Sequence, residues 1–210
     1  MEVTHTRHKL VGPLELWEHK RQFQFDFLLS NGLKETDTLL DFGCGTLRGG
    51  IPLISYLNEG NYTGIDIRSM VILEAEKELE ENKLQYKKPK LIHTSDINKL
   101  LLSDKFDVVL CFSVLIHLED SILNDSLKFI SNYLMPEGCM YANVIIGNKP
   151  DGNWNEFSLV ERSFEFYSDT FERNNLMIKD LGTLSSYGHI TLSKDQDLKN
   201  RQRMLKCQLL

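Results

Sequence analysis

The strongest constraint on the fold is an alternation of short apolar segments with longer charged or amphipathic segments along most of the chain. Short apolar segments predict buried strands, and the stretches between them have the length of helices. The predicted strands read DTLLDFG, NYTGIDI, KLIHTS, KFDVVLCFS and CMYANVII, with two more near 177–181 and 203–209. Because crossovers between parallel strands are right-handed, this order predicts a doubly wound, mostly parallel seven-stranded Rossmann-like α/β sheet with helices on both faces.

A helical arm is predicted ahead of the first strand. The segment LELWEHKRQFQFDFLLSNG follows Pro13 and ends at Gly32, and proline in the first turn with glycine past the end is typical of a helix. No internal repeat and no Pro/Gly/Ser-rich linker divides the 210 residues. A chain of this length is able to bury one core, so we expect a single domain over 1–210.

Composition and charge indicate which classes of partner and which cellular compartment to expect for the protein. Lys and Arg total 24 against 30 Asp and Glu, so the net charge is −6, which disfavours a nucleic-acid partner. The cysteines at 44, 111, 139 and 207 form no C-x-x-C pair, and the start MEVTHTRHKLVG lacks the apolar core of a signal peptide. No apolar stretch reaches membrane-spanning length. We expect a cytoplasmic protein without a membrane partner.

The stretch LLDFGCGTLRGG joins the first predicted strand to the next helix and has the composition of a ligand-binding turn. Gly43 and Gly45 allow the backbone to turn tightly and to approach a ligand closely. The next glycine is Gly49, so the spacing differs from the G-x-G-x-x-G of dinucleotide-binding turns. Asp41, two residues before the first glycine, suits a ligand with a cationic centre better than a pyrophosphate.

Two further acids follow the next two predicted strands. Asp66 ends the second strand, 21 residues beyond Gly45, where a carboxylate is able to accept both ribose hydroxyls. Asp96 follows the third strand, and it either meets the exocyclic amine of adenine or caps a helix. Because parallel strands end at one edge of a sheet, the acids predict a nucleoside site along that edge.

These segments together resemble the successive motifs of the class I S-adenosylmethionine-dependent methyltransferases. The resemblance covers about 38–146 and rests on LLDFGCGTLRGG, YTGIDI, HTSDI and FDVVLCFSVLIHL. It implies that the glycine turn contacts the methionine portion of the cofactor, that Asp66 holds the ribose, and that Asp96 meets adenine. The implied cofactor-binding residues are Asp41, Gly43, Cys44, Gly45, Arg48, Asp66, Ile67, Asp96, Ile97 and Phe112.

The chain departs from the family pattern in the glycine turn, and the resemblance also predicts how the chain is divided into segments. The family often has a third glycine at the position of Leu47, which is absent here. Arg48 either meets the cofactor carboxylate or faces solvent. By the resemblance, 1–32 form a helical arm or lid carrying His5, His8 and His19, 38–146 form the cofactor-binding core, and 147–210 form the substrate-side part.

Few residues are candidates for acceptor chemistry. His117 lies just past the fourth strand and His189 in the loop before the last strand, so either is able to serve as a general base, while His117 is equally able to support the cofactor pocket. Trp154, in the turn-rich segment GNKPDGNWNEF, and Tyr187 are candidate substrate contacts. Asp107, Glu119 and Asp120 form no obvious ligand set, so no metal is predicted.

The resemblance implies a methyltransferase acting on a small molecule, with oxygen of a sugar or a phosphorylated glycan precursor as the expected acceptor. CFSV stands where enzymes that methylate exocyclic amines of nucleic-acid bases have an N-P-P-Y-like sequence. Two alternatives remain open. One is an NAD-dependent oxidoreductase on the same sheet, and the other is a non-catalytic protein that binds the cofactor or has lost it.

Overall fold

The computed structural model describes residues 7–154 and 157–210, except for the side chain of Trp154. By its internal contacts the chain divides into two compact units. The first unit comprises Met1–Asp96 with Gly188–Thr191, and the second comprises Ile97–Tyr187 with Leu192–Leu210. The expectation of one domain over 1–210 stays a prediction.

Seven strands form one sheet, namely β1 Leu39–Phe42, β2 Tyr62–Asp66, β3 Lys90–His93, β4 Phe106–Cys111, β5 Leu134–Ile145, β8 Leu176–Thr183 and β9 Gln202–Leu209. Their order in the sheet is β3-β2-β1-β4-β5-β9-β8. The pairs β1–β2, β2–β3 and β4–β5 are parallel, whereas β9 is antiparallel to both β5 and β8. This arrangement confirms the predicted mostly parallel α/β sheet.

Helices flank the sheet in both units. The first unit contains α1 Trp17–Ser30, α2 Gly50–Tyr56 and α3 Ser69–Glu81. The second contains α4 Asp120–Tyr133, α5 Phe164–Arg173 and α6 Gln196–Arg201. The second unit also holds a separate antiparallel hairpin of β6 Gly152–Trp154 and β7 Phe157–Leu159. This hairpin lies in the segment that the sequence predicted as a substrate loop.

Burial explains the elements of the first unit. All four residues of β1 and all five of β2 are buried, as expected for central strands of a parallel sheet. The helix α1 buries Trp17, Phe23, Gln24, Phe27 and Leu28, which recur at helical spacing. A glutamate, Glu78, is buried on α3 among apolar residues and requires a cationic partner.

In the second unit, β5 begins earlier than the sequence indicates. Pro136 and Gly138 suggested an end to the preceding helix before the strand, yet both lie within β5. The pairing of β4 with β5 shifts in register between Phe106 and Val108, which accommodates the extra residues. Pro136 is exposed, which suits a residue that has no amide hydrogen to donate.

Within the described residues, no helix has both the length and the apolar character that crossing a membrane would require.

Candidate functional site

The loop after β1 makes a tight turn with three residues in the left-handed region. Gly43 has φ 83°, Gly45 φ 57° and Leu47 φ 61°. The amides of Gly43 and Cys44 both donate to the carbonyl of Ile65 on β2, at 2.8 and 3.0 Å. Leu47 thus adopts a conformation that favours glycine, at the position where the family often has one. Its fully buried side chain compensates for the backbone cost.

The two glycines that close the motif serve close packing. A Cβ on Gly49 would collide with Oε1 of Gln24 on α1. A Cβ on Gly50 would lie 2.5 Å from the hydroxyl of Tyr62 and 2.6 Å from Cδ2 of Leu47. A larger residue at Gly50 would therefore displace Tyr62 or Leu47, whereas at Gly49 the flexible end of Gln24 would have to move.

Asp41 is buried at the end of β1, with 4% of its surface exposed. The Tyr62 hydroxyl donates to Oδ2 of Asp41 at 2.7 Å. Burial raises the pKa of Asp41 to about 6 and the charge of Asp66 adds to this, while Tyr62 and Arg48 act in the opposite direction. An anionic group is thus held in a low-dielectric site, where a cationic ligand group would be attracted.

Asp66, at the end of β2, joins two loops of the first unit. Its Oδ2 accepts the Gly45 amide at 3.1 Å, and its Oδ1 accepts the amide and Nε of Arg68 at 2.9 and 3.3 Å. The acid therefore fixes the glycine turn to the loop after β2. The structure brings Asp41, the turn and Asp66 together, as the sequence predicted, and the roles in cofactor binding stay predictions.

Arg48 is buried, with 8% of its surface exposed. Its Nη1 donates to the carbonyl of Val11 at 2.6 Å, and its buried Nε has no hydrogen-bond partner. Burial lowers the pKa of Arg48 to about 10, and Asp41 partly offsets this. Among the described residues no carboxylate forms an ion pair with Arg48, so the site has a cationic group available for an anion.

The N-terminal arm packs against the same turn. Arg7 binds three acids of α3, namely Glu74 at 3.0 Å, Glu78 at 2.8 Å and Glu81 at 2.8 Å. A Cβ on Gly45 would lie 2.8 Å from Cγ1 of Val11. The arm therefore lies over the glycine turn, as a lid would, and the lid function stays a prediction.

Two histidines of the arm also have defined surroundings. His8 stacks on Trp17 with ring centroids 3.5 Å apart, and burial lowers its pKa. The Nε2 of His19 accepts the amide of Ile190 at 3.1 Å. His5 lies outside the described residues.

The remaining cofactor candidates of the first unit differ in exposure. Cys44 is buried, and a Cβ on Gly64 would lie 2.9 Å from its Sγ, so the thiol packs toward β2. Ile67 is 64% exposed. Asp96 is half-buried, and its carbonyl accepts the Thr94 hydroxyl at 2.9 Å. A role of Asp96 toward adenine stays a prediction.

In the second unit, the loop after β4 repeats the construction of the glycine turn with neutral groups. Phe112 is buried, and Ser113 has φ 59°. The Ser113 amide donates to Oδ1 of Asn143 on β5 at 2.6 Å. Ile97, the other cofactor candidate in this unit, begins the short 3-10 helix Ile97–Lys99.

His117 ends the short 3-10 helix Leu115–His117 and contacts the hairpin. Its Nδ1 lies 2.7 Å from the carbonyl of Ser158, and its ring centroid lies 5.5 Å from that of Phe157. A carbonyl only accepts, so Nδ1 donates and the neutral ring carries its lone pair on Nε2. This is the tautomer that a general base acting through Nε2 requires.

His189 has different surroundings. Its ring meets Phe23 of α1 edge-on with centroids 5.1 Å apart. Burial lowers its pKa to about 3, and the charges of Lys20, His19 and Arg48 act in the same direction. A group this weakly basic is poorly matched to proton abstraction near neutral pH, which favours a role as a neutral polar contact.

The two substrate candidates receive little support from the structure. Tyr187 is 42% exposed, and its hydroxyl donates to the carbonyl of Leu181 at 2.7 Å. The side chain of Trp154 lies outside the described part of the chain. Both assignments stay predictions.

Potential metal ligands do not cluster in the described residues: no group of three or more His, Cys, Asp or Glu side chains is placed to hold an ion. Glu119 accepts the Ser158 hydroxyl at 3.3 Å, and Asp120 accepts Nε of Arg162 at 2.8 Å.

Sequence reasoning missed Tyr62, Asn143 and Lys20. Nothing in the local sequence marks Tyr62 or Asn143, because each contacts a residue on another strand or its loop. Lys20 could have been found, since it recurs with Trp17, Gln24 and Phe27 at helical spacing on the buried side of α1. A lysine on such a face is unusual, and it requires either a partner or a ligand.

Comparisons with known proteins agree with this geometry. The family model described as "Methyltransferase domain" matches residues 40–140. An uncharacterized methyltransferase of Schizosaccharomyces pombe is 35% identical over 97 residues, which cover 43% of this chain and 34% of the relative. The matched region thus spans about a third of that relative's length.

Two solved structures have the same fold over nearly the whole chain. An S-adenosylmethionine-dependent methyltransferase from Clostridium acetobutylicum aligns with a TM-score of 0.68 and 17% identity, covering 99% of this chain and 98% of its own. The magnesium protoporphyrin IX methyltransferase of Synechocystis, solved with bound S-adenosylmethionine, aligns with a TM-score of 0.69 and 15% identity, covering 99% and 90%. Residues 40–140 are thus similar to a methyltransferase domain, and the chain has the fold of these S-adenosylmethionine-dependent methyltransferases.

Proposed function

We propose that this protein transfers the methyl group of S-adenosylmethionine to an oxygen of a small molecule, a sugar or a phosphorylated glycan precursor. The observation that carries the proposal is the linked set of Asp41, the glycine turn and Asp66. One carboxylate is buried beside the turn, and the other holds the Gly45 amide at 3.1 Å. A structural turn alone requires neither acid to be buried there.

The residues of the first unit fit the cofactor. Buried Asp41 suits a cationic group, and Arg48, with an unpartnered Nε, suits a carboxylate. Asp66 has two oxygens with accepting capacity beyond their present bonds, which suits the vicinal hydroxyls of a ribose. When bound, S-adenosylmethionine supplies an electrophilic methyl group on a positively charged sulfur.

The chemistry assigned to the chain is alignment and proton removal. Holding two reactants in line removes roughly 7 to 11 kcal/mol from a bimolecular barrier, so positioning supplies most of the rate. A hydroxyl acceptor loses a proton as its oxygen attacks, and a base accelerates this by roughly 10²–10⁴-fold. His117, with Nδ1 donating to Ser158, presents the tautomer needed for that step.

Calorimetric titration with S-adenosylhomocysteine and with NAD tests the cofactor assignment. We expect the wild-type protein to bind S-adenosylhomocysteine and not NAD. Asp66→Ala should weaken that binding at least tenfold, because each hydrogen bond to a charged group contributes roughly 1.5–3 kcal/mol. Glu59→Ala, at an exposed acid of the same unit, is the matched control and should bind normally. Selective binding of NAD would contradict the proposal.

The base assignment is tested separately, by comparing turnover with cofactor binding. With an acceptor found by screening sugars and sugar phosphates, His117→Ala should lower kcat by roughly 10²-fold or more. Its Kd for S-adenosylhomocysteine should change less than about threefold. If His117→Ala lowered kcat and the affinity for S-adenosylhomocysteine by the same factor, His117 would have a structural role in the cofactor pocket. Binding of the cofactor without turnover of any acceptor would instead favour a non-catalytic cofactor-binding protein.

A further inference from the structure

Two buried or half-buried cations of the first unit, Lys20 and Arg48, have no ion-pair partner among the residues that the structure describes. Lys20 lies on the buried side of α1, and Arg48 lies at the start of the segment leading into α2. Among the described residues no carboxylate pairs with either side chain, whereas the neighbouring Arg21 binds Glu78 at 2.9 Å. The contrast with Arg21 indicates that Lys20 and Arg48 are not part of the ion-pair network that fastens the arm.

Backbone and side-chain contacts place these residues in one cluster. From α1, the Nε of Arg21 donates to the carbonyl of Arg48 at 3.2 Å, and Gln24 packs on Gly49. From the same helix, Phe23 contacts the ring of His189. Lys20 precedes Phe23 and Gln24 by three and four positions, so it lies one turn away on the same face of the helix, and its carbonyl accepts Nε2 of Gln24 at 3.1 Å. We call Lys20, Arg48 and His189 the cationic cluster.

The electrostatics of the cluster favour the binding of an anion. Burial and the charge of Arg48 lower the pKa of Lys20 to about 8. Both cations also help to lower the pKa of His189. Unpaired cations at such sites cost free energy in the folded protein, and a bound anion would offset this cost. The cluster is therefore arranged for a ligand more than for stability.

The charged groups of the cofactor account for Arg48 and Asp41 but not for Lys20. The cofactor has one carboxylate, which Arg48 is placed to meet under the proposed function, and its cationic groups match Asp41. Lys20 then remains a half-buried cation with no anion assigned to it. The cofactor alone does not neutralise the cluster.

We propose that Lys20 binds an anionic group of the methyl acceptor, a carboxylate or a phosphate, with His189 as a neutral hydrogen-bonding neighbour. This proposal rests on the proposed function, because it assigns the acceptor to the same unit that holds the cofactor residues. It narrows the acceptor to molecules with a negative charge at fixed distance from the methylated atom. An uncharged sugar would leave Lys20 unpaired.

The test uses the full chain saturated with S-adenosylhomocysteine, so that the cofactor carboxylate already occupies its own site. Inorganic phosphate and, separately, acetate are titrated by calorimetry, and the ring resonances of His189 are followed by NMR. We expect one or both anions to bind and to shift the His189 resonances. Lys20→Met should weaken this binding at least tenfold, because a charge-assisted contact is lost.

Controls distinguish this proposal from the proposed function. The Kd of Lys20→Met for S-adenosylhomocysteine should stay within about twofold of the wild-type value. If the wild-type protein did not bind S-adenosylhomocysteine, that result would count against the proposed function and not against the role of Lys20. Lys34→Met, at an exposed lysine of the same unit, should bind both ligands as wild type does. Without the cofactor, the same anion titration still tests Lys20.

Three results would overturn the assignment of Lys20. One is competition between phosphate and S-adenosylhomocysteine, which would assign the whole cluster to the cofactor carboxylate. Another is equal anion binding by wild type and Lys20→Met, which would indicate an adventitious ion only. The third is no binding of either anion to the wild-type protein.

Discussion

The loop after β1 and the loop after β4 solve the same structural problem with different chemistry. Each contains a non-glycine residue in the left-handed region, Leu47 at φ 61° and Ser113 at φ 59°. Each also donates a backbone amide to a side chain of a neighbouring strand, Gly45 to Asp66 at 3.1 Å and Ser113 to Asn143 at 2.6 Å. The acceptor is a carboxylate in the first loop and a neutral amide in the second.

The difference separates a charged site from a structural one. Around the first loop, the buried groups Asp41 and Arg48 have pKa values displaced toward neutrality, to about 6 and about 10. In the second loop, the neutral side chain of Asn143 accepts the backbone amide, and burying it costs less desolvation free energy than burying a charge. The charges of the first loop therefore exceed what a turn requires, which supports the proposal that this loop binds a charged ligand. Four predictions test this comparison.

The largest effect is expected from replacing the left-handed residue of the first loop, Leu47, with glycine. Leu47→Gly should lower the free energy of unfolding by about 3–4 kcal/mol, since losing a buried leucine side chain outweighs the roughly 1–2 kcal/mol gained by relieving the backbone. Urea denaturation measures this. Ser113→Gly serves as the matched variant, because its side chain is only half-buried. A stabilised Leu47→Gly protein would contradict the assigned role of burial.

The second prediction concerns pH. Asp41 has a pKa of about 6 when folded, against roughly 4 when unfolded. The folded protein keeps the proton of Asp41 to a higher pH than the unfolded chain does. The contribution of Asp41 to the free energy of unfolding is therefore fully present below about pH 4 and is lost as the pH rises through 6. Asp41→Asn should remove about 2–3 kcal/mol of this fall, measured as the difference from wild type in urea titrations between pH 4 and 7.

The loop after β4 supplies the control for the pH experiment. A replacement in the neutral loop, Asn143→Ala, should leave the pH dependence of stability between pH 4 and 7 unchanged, because no charge is removed. Parallel pH curves for wild type and Asp41→Asn would refute the raised pKa.

The third prediction is a smaller loss of stability in the neutral loop. Asn143→Ala removes the acceptor of the Ser113 amide, and an unsatisfied donor costs roughly 1–3 kcal/mol. We expect a loss of about 2 kcal/mol in urea denaturation with no change in the Kd for S-adenosylhomocysteine. A loss of cofactor binding comparable to that of Asp66→Ala would remove the distinction between the loops.

The smallest effect is expected for Ser113→Gly. Glycine relieves the left-handed backbone of a residue that buries little, so the protein should gain about 0.5 kcal/mol in the free energy of unfolding. The midpoint of urea denaturation measures this gain. A loss above about 1 kcal/mol would mean that the serine side chain supports the loop.

Much of the fold was predictable from the sequence, because burial on both faces makes parallel strands read as apolar runs. The predicted segment DTLLDFG contains β1, and NYTGIDI contains β2. The hairpin of β6 and β7 was missed, since it lies in a turn-rich segment without alternating apolar residues. The start of β5 was misplaced for a related reason: Pro136 and Gly138 are read as breakers, although the shifted register accommodates them.

The candidate site was predictable only where its residues are local to strand ends. Asp41, Gly45 and Asp66 lie at or just beyond β1 and β2, where sheet topology places ligands. Tyr62 lies 21 positions from Asp41, and Ser158 lies 41 from His117, so no local pattern links either pair. The low pKa of His189 likewise depends first on burial and then on the charges of Lys20, His19 and Arg48, which are distant in sequence.

The sequence by itself determined the order of strands and helices, the glycine turn and the acids that follow the strands, because these depend on local periodicity and spacing. Only the tertiary structure decided which acid is buried against Tyr62, which tautomer His117 adopts and which cations lack partners. Those properties depend on desolvation and on hydrogen bonds between distant segments, and neither exists until the chain is packed.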